Sequence, residues 1–331
     1  MFGAASARMK AQLFAELSSM VKAGLSIGHA LGIAGKERAA PALGQDVRQM
    51  GHEVSGGRPL TEAMEARSRW FSALDVATVE VGENTGRMEA ALRNLADFYE
   101  REFELRHLLT REMAYPIVLF GAILFIPLIG NVIRVWITES MPAAIVTGFW
   151  TLAIYALVLG LPAGLAIFAI SRLSASEEGR AQIDGLKLRI PLIGGVFRRI
   201  ALARYCRALA SLYSSGILMG TAMRLAGEAA GNEAVRRDLT AQASEVERGA
   251  SLTSAFEESR LMPGSVLAML RTGELTGDVD SMAANVAEHL EAEAQTSIKQ
   301  LAVSITPVAV ILAGIIVAFM VISFYADLYS F

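Results

Sequence analysis

Glu83 and Glu274 lie in two nearly identical runs, GENTG (82–86) and GELTG (273–277). A matched pair of carboxylates is the minimum equipment for general acid–base chemistry. Duplication alone also places identical residues at equivalent points, which favours a helix-terminal structural role over partner or cation binding, and both over catalysis. The remaining chemistry-bearing residues are sparse. His29, His52, His107 and His289 are scattered, with no His-Glu-x-x-His or Cys-x-x-Cys spacing to gather a metal. The nearest approach to a phosphate loop is Gly35-Lys36, but Ala30 stands where that motif's first glycine belongs and Glu37 where a serine or threonine would meet magnesium. The chain is therefore expected to use no nucleotide, metal or other cofactor and to have no catalytic residue. The single Cys206 excludes an intrachain disulfide and reads as a small core residue in a reducing compartment.

What must position these residues is set by the distribution of charge. Of 331 residues 53% are hydrophobic and only 19% charged, with a net charge of −3 and a mean hydropathy of +0.42. Sixty of the 63 charged residues fall in 1–114 and 171–302, leaving Arg134, Glu139 and Asp327 for the rest. The three uncharged stretches 113–133, 140–171 and 301–326 each hold the roughly 20 apolar residues that cross ~30 Å of hydrocarbon as a helix. The second exceeds one crossing, which implies tilt or an interfacial lead-in near Pro142.

Orientation follows from basic residues near the membrane ends. Eight basic side chains against three acidic ones lie between Arg172 and Arg207, whereas the loop between the first two spans offers Arg134 and the tail after residue 326 none. Both charged portions are thus expected in the cytoplasm, with a short hairpin and the C-terminus on the far side. The N-terminal MFGAASARMKAQLFAELSSM holds no apolar run able to act as a signal peptide and is expected to stay inside. With 14 basic against 15 acidic residues in 1–114 and 15 against 16 in 171–302, neither portion is a basic domain for nucleic acid. The 172–207 stretch suits anionic lipid headgroups.

The charged portions are copies of each other. At an offset of 192, Leu17, Gly24, Gly28, Ala30, Ala34 and Gly35 meet Leu209, Gly216, Gly220, Ala222, Ala226 and Gly227. The same offset pairs Gly57, Leu60, Thr61 and Ala63 with Gly249, Leu252, Thr253 and Ala255. One residue is then lost, and at 191 Gly82, Glu83, Gly86 and Pro116 meet Gly273, Glu274, Gly277 and Pro307. Leu13, Leu17, Met20 and Gly24 step by helical intervals, as do Tyr205, Leu209, Leu212 and Gly216. Gly24 and Gly216 are expected to end first helices in the left-handed conformation. Gly57 and Gly249 should break the chain before another helix, and Gly86 and Gly277 before the last. From Gly86 to Pro116 and from Gly277 to Pro307 no other glycine or proline interrupts. Each stretch is expected to be a rod of roughly 40 Å at ~1.5 Å per residue, entering the bilayer.

The expected fold is all-α and polytopic: two homologous cytoplasmic bundles of about six helices and three transmembrane helices. The boundaries are a first bundle 1–112, spans 113–133 and 143–171 joined by a loop 134–142, a second bundle 172–302, a third span 303–326 and a tail 327–331. The spans hold no ionisable residue away from their ends, which argues against an ion pathway. Gly160-x-x-x-Gly164 permits close helix contact and a homo-oligomer.

Together these motifs resemble the type II secretion F-domain family, the inner-membrane platform proteins of type II secretion systems and type IV pili. IPLIGGVFRRIALARYCRALASLYSSGILM (190–219) is especially similar to the start of that family's second domain. The resemblance implies a non-enzymatic adaptor in the bacterial inner membrane. Its implied partners are a hexameric assembly ATPase, inner-membrane alignment proteins and pilin or pseudopilin subunits. The first repeat begins almost at Met1, without the N-terminal segment of larger family members, which favours a pilus-type member. A transporter or channel, or a membrane scaffold or sensor, is the competing expectation for a duplicated helical module.

Overall fold

In a computed structural model the described residues are 4–36, 41–138, 140–155, 157, 160–173, 176–190 and 193–329. Glu37, Glu139, Pro191 and tail residues 330–331 lie outside them. No strand occurs among the described residues. The first copy contains α1 (Ala4–Lys22), α2 (Ile27–Ala34), α3 (Pro41–Ser55), α4 (Leu60–Glu65), α5 (Ala73–Thr85) and α6 (Met88–Thr138). Two apolar helices follow, α7 (Met141–Tyr155) and α8 (Leu161–Leu173), and then a short α9 (Glu177–Arg189). The second copy runs through α10 (Gly194–Ser214), α11 (Met219–Ala229), α12 (Glu233–Thr240), α13 (Ala243–Glu247), α14 (Leu252–Glu257), α15 (Gly264–Thr276) and α16 (Val279–Tyr329).

The copies agree helix by helix, with one break. α5 and α15 are both 13 residues long, and α6 and α16 both 51. The 15-residue α3 corresponds to two helices, α12 and α13. At that break Thr240 Oγ1 donates to Arg236 O, one turn back. With α9 the second copy therefore has more than the six helices expected.

Gly24 and Gly216 show why the first helices stop. Both adopt positive φ, 89° and 96°. Leu25 N donates to Met20 O and Ile217 N to Leu212 O, while each glycine's own N–H reaches back to Val21 O or Tyr213 O. This paired pattern closes the carbonyls that a helix end leaves open, and it requires a left-handed residue where a Cβ is unfavourable. Gly57, Gly86, Gly249 and Gly277 have positive φ as well.

The chain divides into two compact units, Met1–His107 with Asp184–Gln295, and Leu108–Ile183 with Thr296–Phe331. The first holds both helical copies around buried Leu13, Leu17, Leu31, Leu92 and Leu95 in one and Leu209, Leu212, Met223, Val286 and Leu290 in the other. The second has the opposite character. Ile117, Val118, Phe149, Ile311 and Ile322 are all exposed there, an apolar surface that soluble proteins rarely maintain. Two helical segments, Met88–Ile137 and Val279–Ala318, are long and apolar enough to cross a membrane, and Ile145–Ile154 is a shorter apolar helix. The stretch expected as the second span carries α7 and α8, and the described residues between them, 157 and 160, are helical as well.

Candidate functional site: a duplicated carboxylate clamp

The amides that open an α-helix have no partner within the helix. In the short helices α4 and α14 that deficit is met by a carboxylate from a different helix. Glu83 of α5 accepts from Leu60 N on Oε1 at 2.8 Å, and on Oε2 from Thr61 N at 3.2 Å and Thr61 Oγ1 at 2.7 Å. Glu274 of α15 repeats the arrangement with Leu252 N at 2.7 Å, Thr253 N at 3.0 Å and Thr253 Oγ1 at 2.6 Å. It adds a fourth bond from Ser251 Oγ at 2.7 Å. The first copy has Pro59 at that place, with no hydroxyl to donate. A negative charge here also meets the positive end of the helix.

Burial by itself raises the Glu274 carboxyl, but the hydrogen bonds from Thr253, Ser251 and the Leu252 and Thr253 amides outweigh it and hold the group below the ordinary carboxylate range. Acceptor positions committed to amides and hydroxyls do not serve a general base. Beside Glu83 an open cleft of about 620 Å³ is lined by Glu62, Glu65, Glu80 and Asn84. No group of three or more potential metal ligands occurs among the described residues.

The other motif glycines set the distances this clamp needs. A Cβ on Gly82 would sit 2.6 Å from Ala91 Cβ, and one on Gly273 2.6 Å from Met282 Cβ. These glycines let α5 and α15 fold back tightly on α6 and α16, with the turn made at Gly86 and Gly277. A Cβ on Gly28 would fall 2.9 Å from Ser55 N, and one on Gly220 2.8 Å from Ala243 O, so both are close-approach points between neighbouring helices. Gly57 and Gly249 precede the clamped helices. Pro307 is inside α16, and Pro116 falls within the bounds of α6. The motif residues thus form three kinds of joint within each copy, with the prolines farther along the last helices.

A second cluster has no motif in the sequence. Lys10 Nζ lies 2.7 Å from Asp75 Oδ2 and 2.8 Å from Tyr99 Oη, and Tyr99 donates to Asp75 Oδ1 at 2.7 Å. Asp75 also accepts from Ser72 N at 2.8 Å, closing a capping box on α5. Asp75 is 0% exposed and Lys10 3%. Burial, followed by the Asp75 charge, pushes the Tyr99 hydroxyl well above its usual range. The equivalent positions in the second copy are Leu202, Val266, Leu290 and Pro263. The signal was available as ionisable residues aligned with aliphatic ones, but nothing local brings residues 10, 75 and 99 together.

The copies touch each other within the first unit. Arg204 Nε of α10 donates to Glu102 of α6 at 2.7 Å, Asn94 Nδ2 to Ser215 Oγ at 2.9 Å, and α5 packs on α10 and α11. Arg207 holds Glu291 of α16, with Nη2 2.8 Å from Oε2. Burial raises the Glu291 carboxyl, and Arg207 only partly offsets this.

A pair of equivalent helical modules, each closed by a carboxylate clamp and ending in a 51-residue helix with an apolar second half, defines a class of duplicated, membrane-associated helical proteins. Residues 13–133 and 205–326 both match the family described as type II secretion system (T2SS), protein F, and the chain belongs to that family. It is 29% identical over 328 residues to the type IV pilus assembly protein PilC of Thermus thermophilus, covering 95% of this chain and 80% of the relative. It is 27% identical over 337 residues to the type II secretion system protein F of Pseudomonas aeruginosa, covering 98% and 83%. With the type IV pilus assembly protein PilC of Pseudomonas aeruginosa the identity is 24% over 336 residues, covering 95% and 87%.

Proposed function

We propose that the chain is a non-enzymatic inner-membrane platform of a type IV pilus, or related type II secretion, assembly machine, coupling a cytoplasmic assembly ATPase to the extraction and polymerisation of pilin subunits. Both copies lie in the cytoplasm, three spans cross the membrane, and alignment proteins and pilins or pseudopilins meet the platform there. The observation that carries this reading is the pair of equivalent 51-residue helices α6 and α16. Each starts at a glycine turn beside the clamp and becomes apolar in its second half. Up to Pro116 and Pro307 neither helix holds an interior glycine or proline, and such a run is a stiff element at ~1.5 Å rise per residue, suited to holding or transmitting force. Because the sequence carries no phosphate loop, nucleotide hydrolysis is left to the partner ATPase in this proposal.

Gene deletion tests the reading. Loss of surface pili or of pseudopilus-dependent secretion, restored by the gene in trans, is expected. Retention of both activities, in a strain where deleting the assembly ATPase removes them, would overturn it.

A further inference from the structure

The contact between the copies uses only half of the faces that duplication supplies. The first copy offers α5 and the start of α6, with Val81 and Asn94. The second offers the corner between α10 and α11. There a Cβ on Gly216 would lie 3.8 Å from Val81 Cγ1, and Ser214 and Ser215 accept from Asn94 at 3.4 and 2.9 Å. The reciprocal faces are present and uncovered. Thr272 and Asn285, the equivalents of Val81 and Asn94, are exposed, and three residues past Thr272 the apolar Leu275 is 82% exposed. At the other end Lys22, Ala23 and Gly24, the equivalents of Ser214, Ser215 and Gly216, are exposed too. A Cβ on Gly24 would meet nothing within 4 Å.

We propose that a second copy of this chain docks head to tail, its α1–α2 corner seated on the α15–α16 face of the first as the α10–α11 corner is seated on α5–α6 within one chain. The occupant follows from continuity with the intrachain interface. The two vacant faces have the backbone of the two occupied ones, down to the glycine turn and the asparagine at the contact. Charge supports the same pairing. Asp97 lines the occupied cleft together with Ser214; at the vacant site its equivalent is Glu288, which also feels Arg101 of its own chain, and that of Ser214 is Lys22, a carboxylate opposite an ammonium. Because the two faces differ, the contact is heterologous. It repeats until the rotation closes a ring rather than stopping at a two-fold dimer. The proposal does not depend on the function proposed above.

Full-length protein in native membranes provides the test. Ala23→Cys and Asn285→Cys are made in separately tagged chains, keeping the fully buried Cys206, with Asn94→Cys/Ser215→Cys in one chain as the intrachain control. On mild oxidation the co-expressed pair is expected to crosslink to each other, neither single variant to itself, and a chain carrying both to give a ladder of multimers. Lys22→Glu is expected to lower the yield several-fold, and Lys22→Glu with Glu288→Lys to restore it. Crosslinking in the control pair alone, or homodimers of one single variant without the mixed product, would overturn the proposal.

Discussion

The two copies solve the same packing problem with different cores. Where α1, α5 and α6 meet, the first copy buries an ammonium, a carboxylate and a phenol: Lys10, Asp75 and Tyr99. At the same backbone positions the second buries Leu202, Val266 and Leu290, each at most 1% exposed. The fold does not require the ions, since the second copy forms without them. A satisfied buried ion pair and a well-packed apolar replacement have similar stability, whereas half a pair is costly because one charge stays buried without its partner. The clamp behaves oppositely. Glu83 and Glu274 are kept in both copies because short helices such as α4 and α14 cannot satisfy their first amides alone.

The largest effects should come from mixing the two cores. Asp75→Ala strands Lys10, and Val266→Asp buries a carboxylate without a cation. Each is expected to cost about 3–5 kcal/mol, read as a lower unfolding midpoint in detergent. Lys10→Leu, Asp75→Val and Tyr99→Leu together copy the second core and should recover most of that loss; a triple variant as unstable as Asp75→Ala would show that the polar core is required.

Next comes the clamp. Glu274→Ala leaves buried amides open and should cost about 1–3 kcal/mol, and Glu83→Ala less, since Pro59 supplies no equivalent of the Ser251 bond. The Glu274 carboxyl is held below the ordinary carboxylate range in the fold, so its contribution is fully present above the ordinary carboxylate value and lost as pH falls through the lower folded value. Between neutral and acidic pH the destabilisation of Glu274→Gln relative to the parent should therefore shrink, as followed by melting at a series of pH values. A difference that stays constant down to acid would detach the clamp from ionisation. Smaller again is Gly24→Ala, where the open corner leaves only left-handed backbone strain, about 1–2 kcal/mol. Gly82→Ala adds a clash with Ala91 and should exceed it in the same melts.

Much of this architecture was legible from residue spacing. Gly24 and Gly216, 192 apart, marked both the duplication and the turns, and the uninterrupted runs after Gly86 and Gly277 marked the last helices. Glu83 and Glu274 were visible as a pair, yet their partners at 60–61 and 252–253 belong to another helix, so the clamp needed coordinates. The Lys10–Asp75–Tyr99 cluster was hidden for the same reason, its members being 65 and 24 residues apart. The division of the α3 equivalent into α12 and α13 is a feature that periodicity does not register.

The proposed coupling of the two helical copies to the apolar segments through α6 and α16 can be broken by changing helix phase. Two residues inserted after His107, beyond the last buried leucine of the first bundle, Leu105, rotate all that follows by about 200°. Seven residues return it to within about 20° of register. With both proteins present in the membrane at parental levels, the two-residue insertion is expected to abolish pilus assembly or secretion and the seven-residue insertion largely to restore it. Parental assembly with the two-residue insertion would contradict it.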